Sequence, residues 1–481
     1  MTMLIPVFLP ILGAIALWRV PQDRRGLLNG GMLACLLAAA AFALATLLGP
    51  DRALTAWRLT DRISIALKND GVARFYMAFI SVVWPAVGFY ATGYNAHDPH
   101  LRRFNCFYLA TYGVLMGLSM SANAVTLYMF YEMMTLITLP LVMHTMEKEA
   151  VAAGIKYLVY SVFGASAALL GIFFLAHYGT TLDFVAGGVL DMEKVAGHEG
   201  LLRAVAFVML LGFGVKAGMF PMHAWLPTAH PVAPAPASAV LSGVITKMGV
   251  LGVIRVLFYL VGADFLRGSW VQWTFMALAL VTVFMGSLLA LREKQLKKRL
   301  AYSSVSQVSY ILFGLSTLSA LGFAGALLHV ACHSMIKNTL FMAAGAIIHQ
   351  TGKTDVDDMT GVGKVMPRTL LAFTAVSLGL IGIPPTGGFI SKWYLAQGAL
   401  SLSAAASWIG PAVLLCSALM TAAYLLTVVI RGFFPGDRPV VAGSEAAPSM
   451  VLPMLLLAAI SVILGLAPNG IIGFIQGILP F

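Results

Sequence analysis

The chain is poor in charge, in cysteine pairs and in long polar stretches. Only 10% of its 481 residues are Asp, Glu, Lys or Arg, whereas a soluble domain carries roughly 25%. No polar stretch is long enough to bury a core of its own, which excludes a separate soluble domain. The cysteines lie in apolar segments without paired spacing, so we expect inert core residues and not a disulfide framework or a metal site: Cys35, Cys106, Cys332 and Cys416.

What the chain has in abundance is apolar sequence. Hydrophobic residues make up 60% of it, and apolar runs follow one another along nearly the whole length. This composition predicts an all-α polytopic membrane protein, whose first apolar run is interpreted as a spanning helix and not as a removed signal. Hydropathy indicates about fourteen spans: 3–18, 28–49, 73–92, 105–121, 124–144, 152–178, 201–220, 239–262, 271–291, 300–316, 320–349, 367–400 with a break, 408–432 and 450–478.

The basic residues predict the orientation of the chain. The formal net charge of +11 is scattered through the loops, so membrane orientation explains it better than nucleic acid binding. Lys and Arg are about twice as frequent in odd-numbered loops as in even-numbered ones, which predicts cytoplasmic odd loops and both termini on the outer face. An alternating pattern from Asp51 to Arg74 predicts an outer hairpin. One basic cluster is interpreted as a cytoplasmic anchor: Lys294, Lys297, Lys298 and Arg299.

A lysine next to a proline-rich interruption is the most informative feature of the sequence. Lys216 lies in the apolar stretch Leu201–Phe220, and Pro221 begins a run crowded with proline. A cation in hydrocarbon is costly, and a broken helix exposes backbone groups that must also be satisfied. Both costs at one place indicate an ion site. The segment Val232–Ser242, after this break, is interpreted as a short half-helix that re-enters the membrane.

The same pattern recurs near the other end of the chain. Gly382, Pro384 and Pro385 interrupt a second apolar stretch, and Lys392 follows. Paired interrupted helices in two halves of a chain are the best sequence indication of a binding site at the membrane midplane. The alternative for Lys392 is a positively charged anchor at a helix end.

Two more ionisable residues lie within apolar spans. Glu132 lies in Leu127–Leu139, where a carboxylate keeps its charge only near a cation, and Lys216 is the natural candidate. The alternative is a structural ion pair that holds two helices together. Lys247 lies in the apolar stretch Gly243–Leu260 and is a candidate for a proton-transfer step. Its alternative is a side chain that snorkels to the interface near a helix end.

Three ionisable residues share one face of a later helix. His329, His333 and Lys337 are spaced by four, so they form one stripe of a helix. Because histidine titrates near neutral pH, this stripe is a plausible proton relay, and Lys392 would end it. The alternative is that each histidine is a hydrogen-bonded core residue.

Three stretches of this chain resemble a known family. They are KAGMFPMHAWLPTAHP from Lys216 to Pro231, KRLAYSSVSQ from Lys298 to Gln307, and HSMIKNTLF from His333 to Phe341. They are similar to the antiporter-like subunits of respiratory complex I, Mrp-type sodium/proton antiporters and membrane-bound hydrogenases. The resemblance runs from about Tyr128 to Tyr394.

The resemblance implies an architecture and a set of roles. It implies fourteen helices, with two inverted five-helix repeats and discontinuous helices 7 and 12. The implied units are 1–104 with helices 1–3 and the hairpin, 105–262 as the first repeat and proton-conducting half, 271–432 as the second repeat, and 433–481 as the C-terminal helix. The implied proton path consists of Glu132, Lys216, Lys247, His329, His333, Lys337 and Lys392, with helix breaks at Pro221, Pro384 and Pro385.

The function expected from these features is proton translocation, in possible exchange for Na⁺, within a multisubunit energy-converting complex. GIPPTGGFISKW around Lys392 is most similar to Mrp D-type and hydrogenase-linked members. A complex I subunit is the alternative, and a non-conducting scaffold is a further one. A haem-carrying redox subunit would need histidines on separate helices, whereas His329 and His333 share one.

We expect no cofactor and no chemistry in the chain itself. The expected partners are antiporter-like and small membrane subunits of the same complex, the lipid bilayer and, where the complex has one, a peripheral redox module. The expected location is the inner (cytoplasmic) membrane.

Overall fold

The structure is a computed structural model that describes residues 2–60, 63–402 and 406–480. It is helical apart from one hairpin, as predicted. The helices of the first part are α1 Ile5–Trp18, α2 Arg25–Leu48, α3 Gly71–Tyr94, α4 Leu101–Ser119, α5 Ala124–Val142, α6 Lys148–Tyr178 and α7 Met192–Val195. The central helices are α8 Glu199–Ala217, α9 Leu226–Val232, α10 Ala235–Val240, α11 Thr246–Arg255, α12 Ala263–Leu266, α13 Trp270–Arg292 and α14 Leu296–Ser316. The remaining helices are α15 Ala320–Thr351, α16 Val362–Val365, α17 Pro367–Ile381, α18 Gly387–Leu400, α19 Ala406–Phe433, α20 Pro448–Leu466 and α21 Asn469–Gln476.

The helices confirm a multi-pass membrane protein. Within the described ranges, 10 helices are long and apolar enough to cross a bilayer, and Thr2–Trp18 and Pro367–Ile381 are shorter apolar helices. The count of fourteen and the division into two inverted repeats stay predictions. The four cysteines are free: Cys106 and Cys332 are buried, Cys35 is half-buried and Cys416 is exposed. The expectation of core residues was therefore wrong for Cys416, because its apolar surroundings are a face of the bundle.

The predicted hairpin between α2 and α3 is present. β1 (Ala53–Arg58) pairs with β2 (Ser64–Lys68) in antiparallel register. The hairpin is tied to the bundle, since the amide of Lys68 donates to the carbonyl of Met120 at 2.6 Å. Arg62, one of the basic residues counted for orientation, lies outside the described residues.

Two helices are interrupted where the sequence predicted. α8 ends before Gly218, whose φ is 77°, and α17 ends before Gly382, whose φ is 92°. Only glycine adopts such angles without cost, so a glycine in each half ends the helix. The peptide bonds Phe220–Pro221 and Pro384–Pro385 are cis.

The predicted re-entrant half-helix Val232–Ser242 was wrong. The structure has one helical segment, Ala235–Leu260, that is buried throughout and contains π turns at Leu241–Ile245 and Val256–Leu260. The prolines Pro234 and Pro236 stand at its start, where a missing N–H leaves no hydrogen bond unmade. They therefore begin this helix and do not interrupt it. We call Ala235–Leu260 the central segment.

Two glycines let the central segment lie close to its neighbours. A Cβ on Gly243 would be 1.8 Å from Nδ2 of Asn338 in α15. A Cβ on Gly249 would be 2.6 Å from the carbonyl oxygen of Phe213 in α8. Because α8 and α15 also carry ionisable residues, this close packing places the central segment, with Lys247, directly against the helices of Lys216 and Lys337.

Candidate functional site

Lys216 is enclosed by hydroxyl groups. Its side chain lies at the end of α8 with 1% exposure. The amine donates to Thr135 Oγ1 at 2.9 Å, Tyr157 Oη at 3.0 Å and Ser161 Oγ at 2.7 Å. These acceptors come from α5 and α6, and the amine also lies 4.4 Å from the ring centroid of Tyr157. Neutral oxygens thus satisfy all three protons of the ammonium group.

Glu132 does not pair directly with Lys216. None of the ion pairs between described residues joins these two groups. The carboxylate is half-buried on α5 and interacts with Tyr128, one turn before it. Its charge still acts on Lys216 at longer range. The interpretation as a structural ion pair was therefore wrong, because hydroxyls already occupy the amine.

Lys247 lies in the middle of the protein. It is fully buried, and its amine donates to the carbonyl of Ser242 at 2.5 Å. Ser242 belongs to the first π turn of the central segment, and π turns are frequent at functional sites. The snorkelling interpretation was wrong, because the surrounding helix is buried on all sides.

The stripe on α15 is present as a row of buried side chains. Lys337 donates to Ser303 Oγ at 2.7 Å and to the carbonyl of Leu300 at 3.0 Å. The rings of His329 and His333 stack with centroids 5.6 Å apart. All three ionisable residues have at most 1% exposure.

Lys392 is held by the second helix break. Its amine donates to the carbonyls of Leu380 at 2.6 Å and Ile381 at 2.9 Å, which the end of α17 leaves free. The preceding residue, Ser391, bonds through Oγ with Nδ1 of His329 at 2.9 Å. This lysine therefore satisfies the free carbonyls of a broken helix. It also stands next to the α15 stripe.

Several buried polar atoms between these lysines have no partner among the described residues. They include both ring nitrogens of His333, Nε2 of His329, Oγ of Ser334 and the side-chain amide of Gln307. An unpaired buried polar group costs about 1–3 kcal/mol. Internal water normally satisfies such groups. The arrangement can therefore support a hydrated chain of proton donors and acceptors.

The basic cluster before α14 was misinterpreted. Lys297 and Arg299 are 8% and 7% exposed. Lys297 donates to the carbonyl of Ala233 at 2.6 Å, so it satisfies the end of α9. Lys294 is exposed, and Lys298 is half-buried in an ion pair with Glu293 at 2.9 Å, so these two fit the expected anchor. Basic residues before a span look alike in sequence whether they face water or a neighbouring helix.

Arg255 is a buried charge that the sequence reasoning missed. Its guanidinium is bidentate to Asp70, with distances of 2.7 and 2.9 Å, and the residue is 1% exposed. The rings of Phe184 and Tyr259 lie 4.6 and 4.7 Å from the guanidinium carbon. A single arginine within an apolar helix was the available signal. A second missed signal was the recurrence of serine along α14, where Ser303 binds Lys337.

Comparison with known proteins identifies the family. The model described as "NADH:quinone oxidoreductase/Mrp antiporter, TM" matches residues 121–421. The chain belongs to this family. NADH-quinone oxidoreductase subunit N of Desulforudis audaxviator (strain MP104C) is 34% identical over 395 residues, which cover 79% of this chain and 77% of the relative. Hydrogenase-4 component B of Escherichia coli (strain K12) is 31% identical over 433 residues, covering 84% and 63%.

A solved structure has the same fold. A chain of the Mrp complex from Dietzia sp. DQ12-45-1b superposes with a TM-score of 0.86 and 21% identity. The match covers 98% of this chain and 96% of the other. The antiporter-like fold expected from the sequence is thus confirmed.

Proposed function

We propose that this chain is a proton-translocating subunit of a multisubunit energy-converting membrane complex. The observation that carries the proposal is a row of buried lysines that neutral oxygens solvate. Lys216, Lys247 and Lys337 each donate to hydroxyls or carbonyls at 3.0 Å or less. Such acceptors suit an amine that gains and loses a proton, since a hydroxyl can also donate to the neutral amine.

The proposed route follows the row. A proton arrives from the cytoplasm at Lys216, whose affinity Glu132 adjusts through its charge. It passes by way of Lys247 to the α15 stripe and leaves outward from Lys392. Water at the unpaired atoms of His333 and Gln307 would complete the connections.

Changes in the pKa of these lysines are large enough, in free energy, to drive proton pumping. One elementary charge moved across 100 mV corresponds to about 2.3 kcal/mol. A change of one pKa unit at any site corresponds to about 1.4 kcal/mol. Shifts of a few pKa units along the row of lysines therefore match the energy needed to move a proton across the membrane. Partner subunits would supply the energy that causes these shifts.

The sequence around the second break favours an Mrp D-type or hydrogenase-linked member. The alternative owner is a complex I-type enzyme, which the 34% identity with a subunit N favours. The partners we propose are other antiporter-like and small membrane subunits. A peripheral redox module would join them if the chain belongs to a hydrogenase-linked or a complex I-type enzyme. The proposed location is the inner membrane, with both termini on the outer face.

The two halves are proposed to be inverted repeats, 105–262 and 271–432. A glycine of positive φ ends the interrupted helix in each half, at Gly218 and Gly382. A lysine stands beside each break, Lys216 before the first and Lys392 after the second. These parallels support a duplicated unit.

Replacement of Lys216 tests the proposal. The full complex carrying Lys216→Ala is placed in sealed vesicles, and proton and sodium fluxes are followed while a native gel reports assembly. We expect proton flux to fall sharply with normal assembly. Lys194→Ala is the control, because this lysine is exposed and forms a surface ion pair with Asp191 at 3.2 Å. Unchanged flux in an assembled Lys216→Ala complex would instead support the scaffold alternative.

A further inference from the structure

A cavity of about 590 Å³ opens among the loops at one end of the bundle. The loops between α3 and α4 and between α5 and α6 form one wall. The end of α9 and the start of α14 form the other. Its acidic and basic lining residues are His97, Asp98, His100, His144, Lys297 and His349, and Tyr94 lines it as well. Four histidines around one carboxylate are unusual in a chain this poor in charge.

The carboxylate of Asp98 forms hydrogen bonds with two of these histidines. His144 Nε2 and Asp98 Oδ2 are 2.5 Å apart, and the backbone amide of His100 donates to Asp98 Oδ1 at 2.7 Å. Burial raises the pKa of Asp98, but these hydrogen bonds and the charges of the two histidines outweigh burial and lower it. The carboxylate therefore stays ionised near neutral pH and can accept the hydrogen bond of the imidazole beside it.

The cavity wall also carries unpaired polar atoms. Nδ1 of His144 and Nδ2 of Asn95 are buried and have no hydrogen-bond partner among the described residues. Both residues line the cavity, with 4% and 3% exposure. Water in the cavity would satisfy them, which connects Asp98 and His144 to the solvent.

The inner wall leads toward the lysine row. Lys297 donates to the carbonyls of Ala233 at 2.6 Å and Pro231 at 3.3 Å. His230 precedes Pro231, is fully buried, and has both ring nitrogens unpaired in the described part of the chain. The charges of Lys297, Lys247 and Lys337 all act on His230. Lys297 and His230 thus lie between the cavity and the middle of the row.

We propose that this cavity is a second proton entrance, which delivers protons to the middle of the row without passage through Lys216. The Asp98–His144 pair collects the proton, and Lys297 and His230 hand it to Lys247 and Lys337. The charged and titratable groups facing the pair are Tyr94, His97, His100, Arg103, Lys297 and His349. The inference depends on the proposed function.

Lys297→Gln and Lys297→Arg test the entrance in the full complex. Both keep hydrogen-bond donors for the α9 carbonyls, but neither residue can take up and release a proton near neutral pH. We expect each to lower proton uptake in the otherwise unaltered complex and to abolish the uptake that remains in Lys216→Ala, with normal assembly. Lys298→Gln is the matched control, because the adjacent amine pairs with Glu293 outside the cavity. Rescue of uptake by Lys297→Arg would overturn the inference, since it would show a purely structural role.

The pH dependence gives a second readout. His144→Gln should flatten the dependence of uptake on the pH of the loop-side solution, because the proton-collecting imidazole is gone. Lys216→Ala in the same assay separates the two proposals. If Lys216→Ala abolishes uptake while Lys297→Gln and His144→Gln match Lys298→Gln in rate and pH profile, the entrance is wrong and the function stands. If Lys216→Ala leaves uptake unchanged, the proposed function itself fails.

Discussion

Lys247 and Arg255 lie in the same buried central segment, but their side chains have opposite kinds of partner. Arg255 makes a bidentate ion pair with Asp70 and lies between two aromatic rings. Among the residues that the structure describes, Lys247 donates only to the carbonyl of Ser242 at 2.5 Å and the hydroxyl of Thr246 at 3.4 Å. One cation therefore has a counter-charge, and the other has none in contact.

This difference separates a fixed charge from one that can change. Guanidinium does not lose its proton in proteins, so its buried charge needs a permanent partner. A lysine amine can become neutral on burial, and neutral oxygens serve both of its forms. Lys216, Lys337 and Lys392 share the environment of Lys247. The Arg255 end of the segment is thus built for anchoring, and its middle for proton exchange.

The largest effect is expected when Lys247, in the middle of the central segment, is replaced by an arginine like the one at its end. Lys247→Arg would place a permanent charge where we propose that charge comes and goes. We expect proton flux through the reconstituted complex to be abolished, as in Lys247→Met. Normal flux in Lys247→Arg would show that deprotonation at this position is not required.

The converse change is to remove the fixed charge. Arg255→Met leaves Asp70 without its partner, and breaking a buried pair in this way costs about 3–5 kcal/mol. We expect less assembled complex and a lower melting temperature, both partly recovered in Asp70→Asn/Arg255→Met. Lys194→Met is the control, because Lys194 forms an exposed pair with Asp191 at 3.2 Å and such pairs contribute about 0–1 kcal/mol. Full stability with lost flux would instead place Arg255 in the proton path.

Single ionisable residues within apolar spans can be recognised from the sequence, whereas the residues that they contact cannot. Lys216, Lys247 and Lys392 were recognisable because a cation within an apolar helix is costly whichever way its side chain is directed. Their acceptors were not, since Thr135 or Ser161 in an apolar helix carries no sign of what it faces. The charges of Glu132 and Lys216 do act on each other, as expected, whereas the alternative of a structural ion pair between them was wrong.

Helix ends were predictable where glycine and proline require them. The breaks after Gly218 and Gly382 follow from positive φ. The start of the central segment did not, because Pro234 and Pro236 have the same appearance whether they end a helix or begin one. Burial of Lys297 and Arg299 was also beyond the sequence. It depends on the carbonyls of other elements, which come near only in the fold.

A smaller effect is expected where the central segment touches α15. Gly243→Ala would place a methyl group 1.8 Å from Asn338 Nδ2, which donates to the carbonyl of Ser334 at 2.7 Å. Overpacking of this kind costs about 1–3 kcal/mol. We expect a lower melting temperature and reduced proton flux, because Lys247 lies one turn away. Gly30→Ala in α2 is the control, since nothing lies within 4 Å of its Cβ position.

The smallest effect is expected from removing one hydroxyl beside Lys216. Thr135→Val deletes the 2.9 Å hydrogen bond and leaves Tyr157 and Ser161 in place. One such bond contributes about 1.5–3 kcal/mol to a charged group and about 1 kcal/mol to a neutral one. The variant should thus favour the neutral amine, so that the pH at which flux is half-maximal falls while assembly is unchanged. Thr46→Val on exposed α2 should leave the profile unaltered. An unshifted profile in Thr135→Val would mean that the hydroxyls position Lys216 without adjusting its proton affinity, which would bring this lysine closer to the fixed role of Arg255.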